Sequence, residues 1–122
     1  MNKHTINYAA RYNIPSVQQQ TEAAVMRIAE RIFAGNTKAP PPGGSPSDEL
    51  RWAQWAVVNS SVAGVHFGWA VAFDPKVEAA IEADPSGSTV NDEDVTAAVE
   101  KAFPNVLANF LANPPPGTPT IP

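Results

Sequence analysis

A chain of 122 residues fits one domain and is long enough to bury roughly two thirds of the surface its unfolded form exposes, so it needs no staples to fold. It contains no cysteine, which excludes disulfides, thiolate metal ligands and thiol catalysis. A net charge of -4 argues against a protein that coats nucleic acid or reads its sequence, because that work needs a clustered basic face.

The charge is unevenly distributed. Residues 1–51 carry six Lys or Arg against four acids, and residues 52–122 carry two against eight, so the halves stand at +2 and -6. Such a split can present complementary ends to neighbours in a ring, or it can be an ordinary fluctuation; both readings stay open. The start, MNKHTINYAARYNIPS, has no apolar segment followed by a small-residue cleavage site. Residues 1–14 are expected to be extended and the protein to be made in the cytoplasm.

The first helix is expected from Pro15 or Ser16 to Ala34. Ser16 and Gln19 have the spacing of a capping box, Gly35 and Asn36 suit a left-handed stop, and Val25, Ile28, Ala29, Ile32 and Phe33 form an apolar stripe at helical spacing. A Pro/Gly-rich linker follows at 36–47, with Pro40, Pro41, Pro42 and Pro46. A second helix starts at Ser47, with Asp48 and Glu49 favoured by the helix dipole in its first turn, and ends near Asn59.

From Trp52 to Phe73 no side chain is charged. The stretch is long enough to cross a bilayer, but Gln54, Asn59, Ser60, Ser61 and His66, with a helix break near Asn59, favour a buried helical hairpin over a membrane span. The break lets Ser61 cap a third helix over Val62–Phe73. Both helices are apolar on two faces: Leu50, Ala53 and Val57 against Trp52, Trp55 and Ala56, then Val62, Val65, Trp69 and Phe73 against Ala63, Phe67 and Val71. A domain of this size covers one face of each helix more easily than two. The surplus aromatic surface is either an interface with another subunit or a central hairpin wrapped by the first and last helices.

Asp74 and Pro75 read as an N-cap and first position of a short helix to Ala83. Asn91 caps the last helix, with Val90 and Val95 placed as a hydrophobic staple, and Val95, Ala98, Val99, Ala102 and Phe103 as its inward face. Pro104 is expected to break or kink it before Val106, Leu107, Phe110 and Leu111 resume the stripe. Residues 112–122, with Pro114, Pro115, Pro116, Pro119 and Pro122, form a proline-rich arm. The fold class expected is all-α, a bundle of four to five helices over residues 15–111.

Catalytic and cofactor chemistry finds little support. His4 and His66 have no nucleophile or second ligand at useful spacing, and a lone core histidine accounts for His66. A calcium loop beginning at Asp84 would place Thr89 where glycine is required and Val95 where the bidentate glutamate belongs, so Asp92, Glu93 and Asp94 read as dipole-stabilising acids. Gly43 and Gly44 precede Ser-Pro and make no phosphate cradle. Asn59-Ser60-Ser61 matches a glycosylation acceptor only formally. Neither an enzyme nor a cofactor or small-molecule substrate is expected.

The run Arg51-Trp-Ala-Gln-Trp-Ala, then Trp69-Ala-Val-Ala with Asp74-Pro-Lys-Val77, then Val90-Asn-Asp-Glu-Asp-Val95, resembles small helical proteins encoded among the virion-assembly genes of tailed bacteriophages. These are helix and cap patterns within residues 50–100, and the chain departs from them at Pro104. The resemblance implies a head-tail connector or neck adaptor, a ring of copies between portal and tail, found in the virion and assembled in the host cytoplasm. Its partners would be itself and portal or tail components. A capsid-decorating or other minor virion protein, and a non-structural assembly chaperone or regulator, are the alternatives. The contact residues expected are Trp52, Trp55, Trp69, Phe73, Pro114, Pro115, Pro116 and Ile121.

Overall fold

The computed structural model describes residues 8–35 and 48–119, and all its regular structure is helical. Six helices follow in order: α1 (Tyr8–Tyr12), α2 (Pro15–Gly35), α3 (Asp48–Val58), α4 (Ser60–Ala72), α5 (Pro75–Ala83) and α6 (Asp92–Ala112). The expected cap at Ser47, the linker, His4 and Ile121 lie outside the described residues.

Helices α2, α3, α4 and α6 enclose the core, α1 packs on α4, and α5 closes one end against α4 and α6. The aromatic centre is Trp52, whose ring meets Phe67 edge-on at 6.2 Å between centroids and Phe103 at 4.9 Å. Trp55 packs beside it on Phe110 at 5.4 Å. From Trp52 to Phe73 the chain forms α3 and α4 with a bend at Asn59, and the two helices meet through Trp52 and Phe67. No helix among the described residues is long and apolar enough to cross a membrane.

Local capping explains α5 and α6 well. The Asp74 carboxylate accepts from the Lys76 and Val77 amides at 3.1 Å each, ahead of Pro75 at the first helical position. The Asn91 side chain accepts from the Glu93 amide at 2.8 Å, while Val90 and Val95 are both buried at the entry. Asn59, not Ser61, stands at the N-cap of α4, without a side-chain cap bond; the Ser61 hydroxyl donates to Glu22 instead.

Four expectations are corrected. Residues 8–12 are helical because Arg11 and Tyr12 are buried against the body, which supplies what a five-residue helix lacks on its own. Ser16 lies inside α2 and makes no capping box: its hydroxyl donates to the Gly87 carbonyl at 3.0 Å. Gly35 still belongs to α2 and is not left-handed. Finally, of the break or kink expected at Pro104 the break does not occur: α6 continues through it, because Pro104 and Glu100 face solvent and water can serve the carbonyl that loses its donor.

Folding also rearranges the charge split seen along the chain. Arg27 pairs with Asp92 at 3.7 Å, Arg31 pairs with Glu100, and Arg11 pairs with Glu78 at 3.0 Å. Among the described residues, Arg11, Arg27 and Arg31 of the first half therefore lie beside acids of the second.

The connection between α5 and α6 is two consecutive turns stitched to α2. Gly87 donates to the Asp84 carbonyl at 2.9 Å, Val90 donates to the Gly87 carbonyl at 3.2 Å, and Gln20 Nε2 donates to the Val90 carbonyl at 3.2 Å. Gly87 has φ +76°, and a Cβ there would lie 2.5 Å from Ile14 Cγ2. Gly87→Ala should therefore combine left-handed strain with a clash and lower stability by about 2–3 kcal/mol in urea denaturation.

Candidate interaction surface

The two apolar faces of α4 have separate fates. Ala63, Phe67 and Val71 are wholly buried, and Val62, Val65, Trp69 and Phe73 are 49%, 48%, 44% and 56% exposed. Spacings of three, four and four residues keep this second set in one stripe. Val57 and Val58, at the end of α3, are exposed too. The small buried residues Ala63 and Gly64 bring α4 deep into the domain, leaving its other side at the surface.

The same burial corrects half of the aromatic contact set. Trp52 is 0% and Trp55 2% exposed, so both belong to the chain's own core and offer no surface to a partner. Trp69 and Phe73 are partly exposed. Arg11 sits over the Phe73 ring at 5.4 Å, an approach that steadies its orientation.

Trp69 forms a ridge between two grooves in the crevice between α4 and α6. One, of about 360 Å³, is lined by Val65, His66 and Trp69 from α4 and by Val106, Asn109 and Asn113 from the α6 side. The other, of about 370 Å³, lies between Trp69, Phe73 and Asp74 on one bank and Lys101, Ala102 and Asn105 on the other. Asn105, Asn109 and Asn113 recur every four residues, forming an amide row on one side of α6 that sequence reading did not single out.

His66 stacks on Trp55 at 5.4 Å and 15° and helps line the first groove. Partial burial lowers its pKa below the ordinary 6.5, because the charged ring is poorly solvated there. The sign follows. Above about pH 6.5 folded and unfolded chains both hold a neutral ring, and as pH falls below it the unfolded chain takes up the proton first, so stability drops. Denaturation from neutral pH to about pH 5 should show this loss, and His66→Phe should reduce it. The Asp84 carboxylate accepts from the hydroxyls of Ser88 and Ser86 and the Ser86 amide, which hold it below its usual range. Its effect falls at lower pH: that stability is present above the unfolded value of 3.8 and lost as pH falls further.

The proline arm is only partly a free arm. Thr118 donates its amide to the Pro115 carbonyl at 3.2 Å and Gly117 takes φ +86°, which makes a turn at Pro115–Thr118 where an extended segment was expected. Arg51 Nε then holds the Pro119 carbonyl at 3.2 Å, returning the chain to α3. Pro114 and Pro116 remain exposed and Pro115 is half-buried.

Among the described residues no three His, Asp or Glu side chains converge as a metal site. Comparison with protein-family models, curated proteins and solved structures finds no match to this chain.

Proposed function

We propose that this chain is a structural protein of a tailed-phage virion, a head-tail connector or neck adaptor that self-associates in a ring between portal and tail and works without turnover or cofactor. The observation that supports it is the stripe Val62, Val65, Trp69 and Phe73, large apolar side chains held at the surface along α4 and its C-cap. Interaction surfaces take this form: a few big apolar anchors on an ordered element, with polar groups around them. The resemblance of the Arg51, Trp69 and Val90 segments to virion-assembly proteins supplies the setting.

Mass spectrometry and electron microscopy of gradient-purified particles test the reading. The protein should be found in stoichiometric amount at the neck. Density on the capsid shell would make it a decoration protein, and abundance in infected lysate with absence from particles would make it an assembly factor; either overturns the adaptor reading.

A further inference from the structure

We infer that the α4 stripe is a self-recognition surface, receiving the same surface of a second copy across a two-fold axis, with each Trp69 seated in the crevice between α4 and α6 of the other copy. An isologous contact requires one patch to be complementary to itself, and three properties of this face meet that requirement.

The first is shape. Trp69 protrudes between two grooves of similar size, so ridge and recess alternate along one surface, and a rotated copy can place its ridge in either recess. The second is polarity. The amides of Asn105, Asn109 and Asn113 each offer a donor and an acceptor, so a like residue is a competent partner for each of them, as a row of carboxylates or ammonium groups would not be. The charges bordering the Phe73 groove are Asp74 and Lys101, one of each sign, which a two-fold partner can oppose crosswise. No side chain from Trp52 to Phe73 carries charge, so like charges are not brought together at the centre although each copy carries -4 overall.

The third is size. A 13-residue helix is about 20 Å long, and with its neighbour the face is roughly 20–25 Å wide, so two copies cover about 1,000 Å² in total. That is the lower limit for a specific interface, so the pair is a weak one that forms as concentration rises. A two-fold pair closes on itself, whereas a ring between portal and tail is polar and needs head-to-tail contacts, so the pair is the state of the free protein and gives up this stripe to the ring contact on assembly. The pairing deepens the self-association reading, yet it is measured on purified protein with no particle present; a dimer absent from virions would sink the adaptor and leave the pair standing.

Sedimentation equilibrium of the full chain should give twice 12.9 kDa at high concentration. Trp69→Glu should weaken the pair at least ~30-fold while helical circular dichroism is retained, because Trp69 is partly exposed. A monomer at every concentration, or a dimer untouched by Trp69→Glu, overturns the assignment.

Discussion

Replacing Trp52 by alanine should lower the unfolding free energy by about 4 kcal/mol and the melting temperature by about 15 °C, the largest single-residue effect expected in the chain. Trp52 is fully buried and its ring edge meets both Phe67 and Phe103, so truncation removes contacts joining α3, α4 and α6 and leaves a void that three helices cannot easily collapse. Trp52→Phe should be far milder, about 1 kcal/mol, because it keeps an aromatic ring and removes an indole N–H that is buried without a hydrogen-bond partner. Calorimetry of the variants at one concentration checks both values. A Trp52→Ala protein of unchanged stability but altered association would contradict the core assignment.

Arg11→Ala is expected to follow, at about 3 kcal/mol. The side chain is buried, and one guanidinium nitrogen donates to the Ala72 carbonyl at 3.1 Å and to Glu78 Oε2 at 3.0 Å. It thereby joins α1 to the last turn of α4, where the helix dipole favours positive charge, and to α5. Truncation leaves a carbonyl and a partly buried carboxylate to find water. Arg11→Lys should recover less than half, since one compact ammonium on a flexible stem replaces a planar donor set. Adding Glu78→Gln to Arg11→Ala should restore part of the loss by removing the uncompensated charge, a coupling measurable in a double-mutant cycle.

Legibility in the sequence followed the range of the interactions. The caps at Asp74 and Asn91 are made by side chains two or three residues from their amides, so the pattern alone located the starts of α5 and α6. Ser16 misled because its hydroxyl bonds a carbonyl 71 residues away, and α1 was hidden because Arg11 and Tyr12 are ordered by distant parts of the chain. Pro104 looked like a break because nothing local announces that its side of α6 faces water.

The candidate surface shows the same limit. Periodicity divided α4 into two apolar faces, and the structure keeps that division, but hydrophobicity could not say which face the rest of the domain would cover. The small residues Ala63 and Gly64 were the available signal, because a close-packed helix needs them on its inner side. On α3 no such contrast exists, and Trp52 and Trp55 could be assigned to the core only once their ring partners on α4 and α6 were placed. The asparagine row was overlooked because single amides along a helix look like ordinary solvation; only the two grooves beside Trp69 bring them to notice.

The cross-chain pairing of Arg27 and Arg31 with acids of α6 also shapes how two copies would meet. With those arginines engaged inside the molecule, the field that an approaching copy feels at a distance is set by the net negative charge, and it is repulsive. The attraction across the uncharged α4 face is short-ranged and begins only after that approach is complete. Mobile ions damp the first effect and leave the second nearly untouched, so encounter between copies should quicken, and the pair tighten, as ionic strength rises.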